Sequence, residues 1–114
     1  RGKLVGEPIV KMLVDEDCTV TIAHSKTKDL WYHMRYADII ISATGCIGLV
    51  DIAECWNAEV IIDAGVSRGE DGKLHGDCFN CENADDFQKI TPVPGGVGLL
   101  TRAMLMKHMM EANK

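Results

Sequence analysis

The sequence predicts an α/β domain built around a parallel β-sheet, and three observations carry that prediction. Short runs of aliphatic and β-branched residues at 18–24, 37–45 and 59–65 alternate with stretches of helical periodicity. The runs at 37–45 and 59–65 are almost continuously apolar, as strands buried on both faces are. Finally, each run leaves through small or polar residues: Ser25, Thr44-Gly45, Ala64-Gly65 and, at the last strand, Pro94-Gly95. In open parallel sheets ligands bind at these carboxyl ends, so the exits mark one binding edge.

In chain order, Arg1 to Pro8 reads as a glycine-bearing loop opening a helix. Pro8 suits the first turn, and Ile9, Val10, Met12, Leu13 and Val14 give a broad apolar face. Asp15-Glu16-Asp17 ends it in a solvated turn, and Cys18 to His24 follows as a parallel strand. Asp29 to Tyr36 is a second helix, Val50 to Trp56 a short helical piece, and Glu59 to Gly65 a buried strand. Glu70-Asp71-Gly72-Lys73 is a hairpin turn. Glu82 to Gln88 reads as a short acidic helix. Leu99 to Ala112 closes the chain as a helix, with Leu100, Met104, Leu105 and Met109 along one side as core filler.

With 114 residues the chain forms one domain with one modest core. The net charge of −5 argues against a nucleic-acid or membrane-surface binder, and no apolar run reaches membrane-spanning length. Cys18, Cys46 and Cys55 lie in or beside apolar segments, as reduced core cysteines do. Cys78-Phe79-Asn80-Cys81 is a lone C-x-x-C without the second ligand pair that zinc requires, so no metal is expected. This cysteine usage suits a reducing cytosol or an organelle interior, and of the two a cytoplasmic location is expected.

The most specific stretch is Ile90-Thr91-Pro92-Val93-Pro94-Gly95-Gly96-Val97-Gly98-Leu99-Leu100-Thr101. Prolines and glycines at this density make a rigid turn that backbone or ligand can approach closely. The string resembles the C-terminal signature of the bifunctional methylenetetrahydrofolate dehydrogenase/methenyltetrahydrofolate cyclohydrolase family. It departs at Leu99, where the family usually carries proline. The resemblance runs from Arg1 to about Met110 and covers the family's cofactor domain only. Arg1-Gly2 stands where the family has Arg-Ser in its phosphate loop, His24-Ser25-Lys26-Thr27 matches its His-Ser-x-Thr, and Gly76-Asp77 matches a Gly-Asp pair ahead of the last strand.

The resemblance implies a Rossmann-like three-layer domain over residues 1–114, lacking its first central strand in this chain. On that reading the chain is a fragment whose N-terminal catalytic lobe is absent, and it is inactive alone. The parent would oxidise 5,10-methylenetetrahydrofolate to methenyltetrahydrofolate and hydrolyse that to 10-formyltetrahydrofolate. A homodimer is implied as well. Val66 corresponds to an apolar residue beside the nicotinamide half of the cofactor. Pro94, Gly95, Gly96, Val97 and Thr101 would shape one wall against the tetrahydrofolate substrate. The family's Tyr-x-x-x-Lys motif has no counterpart here, since neither Tyr32 nor Tyr36 is followed by lysine four residues on. No catalytic acid, base or nucleophile is assigned to this chain.

The residues themselves speak to the cofactor. NAD-selective sites place a carboxylate on the ribose 2′-hydroxyl about twenty residues past the glycine loop. That position holds His24, Ser25 and Lys26 and no acid, which suits the 2′-phosphate of NADP, with Arg1 able to reach the same group. Thr44 and Gly45 join Arg1, Gly2, His24, Ser25 and Val66 as expected cofactor contacts. Ser25 also fits a helix N-cap, and His24 fits an ordinary loop histidine. Two other functions stand beside the enzyme reading: a stand-alone nucleotide-binding or regulatory module, and an unrelated NAD-dependent dehydrogenase domain. The second conflicts with the missing acid and with the Pro-Gly-Gly string.

Overall fold

The computed structural model describes residues 5–112. Its centre is a three-stranded parallel sheet of β1 (Ile39–Ser42), β3 (Val60–Asp63) and β7 (Lys89–Ile90), with β3 in the middle. Ile40 pairs with Ile61 and Ser42 with Asp63, and Ile61 in turn pairs with Ile90. Two small ladders flank this sheet. β2 (Val50–Asp51) runs parallel to β6 (Cys78–Phe79), and β4 (Ser67–Arg68) forms a hairpin with β5 (Leu74–His75).

The core lies on one face of the sheet. Ile40 and Ile61 point into it and meet Val50, Ile52, Cys55 and Ala58 of the connecting segment, and Met34 of helix α2 (Leu30–Tyr36). The Gln88 side-chain amide locks the connection from below, donating to the carbonyls of Cys55 (2.5 Å) and Ala58 (3.0 Å). On the rim, the Arg35 guanidinium lies 4.5 Å over the Trp56 ring and donates to the Glu54 carboxylate at 2.8 Å.

Several expected elements take another form. Residues 18–24 form no regular element and are not a strand, because no described segment supplies the ladder that makes one. The expected helical piece at 50–56 is β2 followed by a single 3-10 turn, Ile52–Glu54. The expected helix at 82–88 is likewise one 3-10 turn, Cys81–Asn83, followed by irregular chain. There the Gln88 side chain accepts the Asp85 main-chain N–H at 2.9 Å, a local alternative to helical bonding. β1 is not buried on both faces: Ile40 and Ser42 are buried while Ile39 is exposed, since α2 and the 50–58 segment cover only one side.

Helices α1 (Gly6–Asp15) and α3 (Val97–Ala112) stand away from the core. α1 contributes no buried residue, and Leu100, Met104, Leu105 and Met109 of α3 are exposed and not core filler. The radius of gyration of 15.0 Å accordingly exceeds the roughly 13 Å of a compact chain this long. Cys18 and Cys46 are exposed, contrary to expectation, and Cys55 is buried. Among the described residues no helix is long and apolar enough to cross a membrane.

Candidate functional site

Three strand exits meet along the carboxyl edge of the sheet. β1 leaves through Ala43 into Thr44-Gly45, β3 through Ala64-Gly65 into Val66, and β7 through Thr91 into the Pro-Gly turn. Parallel register puts all three on the same side. Thr44, Gly45 and Val66 are exposed there. The Ser67 hydroxyl donates to the Gly45 carbonyl at 2.9 Å, tying the first exit to the second. Gly45 has φ +69°, a left-handed conformation in which a side chain is strained.

Beneath this edge lies a buried polar cluster that sequence reasoning missed. Asp77, Asp63 and Ser42 are 1%, 3% and 5% exposed. Asp77 Oδ2 accepts the Ser42 hydroxyl at 2.6 Å and the Thr44 main-chain N–H at 2.9 Å. Asp63 Oδ1 accepts the N–H groups of Gly65 (3.0 Å) and Asp77 (3.1 Å), and its Oδ2 accepts that of Cys78 (2.9 Å). Bonds of this charge-assisted kind offset the cost of burying carboxylates. Glycines make the room: a Cβ on Gly65 would overlap the Asp77 carboxylate, and one on Gly76 would overlap that of Asp63. The available signal was a polar residue closing each apolar run, Ser42 and Asp63, together with the Gly76-Asp77 pair.

The thiols nearby are kept protonated. Burial first, then Asp51 and Glu54, push Cys55 up to about 11. Burial and the neighbouring Asp63 carboxylate raise Cys78 further, and burial raises Cys81. Protonated thiols are poor nucleophiles and poor metal ligands. Among the described residues no cluster of His, Cys, Asp or Glu is arranged to hold a metal ion.

The other expected site residues fall into two groups. His24 opens a tight turn: its main-chain N–H donates to the Thr27 hydroxyl at 2.8 Å, and its Nδ1 accepts the Lys26 N–H at 3.1 Å. Ser25 and Lys26 project from that turn, exposed. Ser25 is not the N-cap of α2, which is Asp29 in a left-handed conformation. Pro94, Gly95 and Gly96 form the turn into α3, with Gly95 at φ +97°. Thr101 is exposed on the second turn of that helix, its hydroxyl donating to the Val97 carbonyl at 3.0 Å. Arg1 and Gly2 lie outside the described residues.

Comparison with known proteins gives these features a context. The family model for the tetrahydrofolate dehydrogenase/cyclohydrolase NAD(P)-binding domain matches residues 1–114. The bifunctional protein FolD of Caldanaerobacter subterraneus subsp. tengcongensis is 45% identical over 114 residues, all of this chain and 40% of the relative. That of Lactococcus lactis is 44% identical over 112 residues, 98% of this chain and 39% of the relative. The crystal structure of the FolD dehydrogenase/cyclohydrolase of Campylobacter jejuni superposes with a TM-score of 0.82 at 40% identity, covering 94% of this chain and 38% of that one. The Trypanosoma brucei enzyme, solved with NADP cofactor and an inhibitor, gives 0.79 at 37% identity, covering 96% and 40%. The chain thus spans about 40% of the length of the curated relatives it matches. A family match over every residue, together with a sheet whose exits gather at one edge, establishes that the chain belongs to the tetrahydrofolate dehydrogenase/cyclohydrolase family, as its NAD(P)-binding domain.

Proposed function

We propose that these residues are the NADP-binding domain of a longer bifunctional enzyme. That enzyme oxidises 5,10-methylenetetrahydrofolate to methenyltetrahydrofolate and hydrolyses it to 10-formyltetrahydrofolate. The observation that carries the cofactor assignment is the turn at His24–Thr27, which presents the Ser25 hydroxyl and the Lys26 ammonium to solvent. A hydroxyl and a cation fit a ribose 2′-phosphate, whereas NAD selectivity calls for a carboxylate there. The Trypanosoma relative, whose structure holds NADP, supports the same choice.

Within this reading Ser25 and Lys26 hold the 2′-phosphate, and Arg1 and Gly2 serve the phosphate loop. Thr44 and Gly45 offer main chain to the cofactor along the sheet edge, and Val66 supplies an apolar contact beside the nicotinamide. Bound NADP supplies the hydride acceptor. The turn at Pro94–Val97, with Thr101, forms the wall facing tetrahydrofolate. The groups that polarise the one-carbon bridge come from the rest of the enzyme. A homodimer and a cytoplasmic location complete the reading.

Calorimetric titration of the full-length protein with NADP and NAD tests it. NADP should bind at least tenfold more tightly, and tighter binding of NAD would overturn the assignment.

A further inference from the structure

We propose that Asp77, a residue with no part in the chemistry, is the positioning residue that sets the cofactor-facing loops of this domain. The proposal rests on the NADP-binding reading and adds to it the device that holds the edge in shape. Thr44 and Gly45 lie on a loop beyond the last ladder position of β1, so the β1–β3 ladder does not itself fix them. Their fixed point is the Asp77 carboxylate, which takes the Thr44 N–H at 2.9 Å while the Ser42 hydroxyl braces the same oxygen at 2.6 Å. Asp77 Oδ1, fully buried and without a donor among the described residues, lies against Gly65 at the exit of β3. One buried side chain therefore stands between the Thr44-Gly45 loop and the Gly65-Val66 loop, and with the Ser67–Gly45 bond above it sets their spacing.

Asp77 is itself held. Asp63 accepts the main-chain N–H groups of Asp77 and of Cys78, the two that flank the Asp77 side chain, so the backbone carrying this carboxylate is pinned just ahead of β6. A surface carboxylate could not do this. The 1% exposure of Asp77 removes competing water from the Thr44 bond. Asparagine keeps the shape of the group and an oxygen for the Thr44 N–H, whereas alanine leaves that N–H unpaired and opens a void between the two loops.

The test uses the full-length protein with Asp77→Ala and Asp77→Asn. Hydrolysis of methenyltetrahydrofolate consumes water and no nicotinamide, so it reports on the folate site and the fold without the cofactor. Asp77→Ala should weaken NADP binding at least tenfold and lower dehydrogenase kcat/KM in step, with the hydrolysis kcat within about twofold of the unsubstituted protein. Asp77→Asn should restore NADP binding to within about threefold. If NADP binding is unchanged in Asp77→Ala, the proposal is wrong. Parallel loss of hydrolysis and NADP binding in soluble Asp77→Asn would overturn it in favour of a purely structural role, and Asp77→Asn decides the matter should Asp77→Ala fail to fold. Failure of the unsubstituted protein to bind NADP would instead overturn the cofactor assignment, and this proposal with it.

Discussion

The Asp63 carboxylate accepts the main-chain N–H of Asp77 at 3.1 Å, so one buried acid positions the backbone of another. Three N–H groups converge on Asp63 in all, from Gly65, Asp77 and Cys78, and they join β3, its exit and β6 at a single side chain.

Removing that acceptor should be expensive. Asp63→Ala strands three buried or half-buried donors, each costing on the order of 1–3 kcal/mol when left unpaired. We expect a loss of at least about 3 kcal/mol in urea unfolding. Asp63→Asn should lose less, since it keeps one acceptor oxygen. Equal stability of Asp63→Ala and the unsubstituted protein would show that the cluster contributes nothing.

Two glycines of the Pro-Gly stretch, Gly96 in the turn and Gly98 in α3, should respond with opposite signs. A Cβ on Gly96 would meet the Pro92 carbonyl, part of the turn's own backbone, whereas one on Gly98 meets open space within α3. Gly96→Ala should therefore lower the melting temperature, at about 1–3 kcal/mol. Gly98→Ala should raise stability by roughly 0.5–1 kcal/mol through helix propensity. Gly96 does not need a left-handed φ; that requirement falls on Gly95. The collision identifies Gly96 as a residue the turn needs for itself, before any approach of substrate.

Stability should fall at alkaline pH. The folded protein raises the Cys55 pKa from 9.0 to about 11, so the native state holds that proton more tightly than the unfolded chain does. The contribution is fully present below pH 9 and is lost as pH climbs through the folded value. Cys78 shifts in the same direction. Unfolding free energies compared at pH 8 and pH 10.5 should show the decline, and Cys55→Ala should make it shallower, with the Cys78 contribution remaining. A stability profile that is level over this range in the unsubstituted protein would contradict the assignment.

Reversing a charge in the His24–Thr27 turn should redirect cofactor choice. Lys26→Glu places a carboxylate where a 2′-phosphate is proposed to bind, so NADP affinity should drop by tenfold or more. NAD affinity should hold or rise. Equal losses for both cofactors in calorimetry would mean that this turn faces some other part of the ligand.

The sequence by itself determined the parallel α/β architecture, the Gly72 hairpin, the continuity of the apolar runs and the family. Each of these is written in local patterns: β-branched runs, turn glycines, and a proline–glycine string read as contiguous letters. What it could not convey was the outcome of contacts between distant segments. Residues 18–24 carry a strand pattern, but a strand exists only through a ladder, and no described segment provides one. Leu100, Met104, Leu105 and Met109 are the apolar side chains a core-facing helix would carry, yet an apolar composition does not say whether anything lies against the helix, and here all four are exposed. The buried Ser42–Asp77–Asp63 cluster joins residues up to 35 positions apart. Only the tertiary structure could decide that two aspartates, ordinarily surface residues, are buried beneath the sheet edge. Low-dielectric burial demands donors at the right distance, and the folded chain supplies them from the ends of β1 and β3 and from the start of β6.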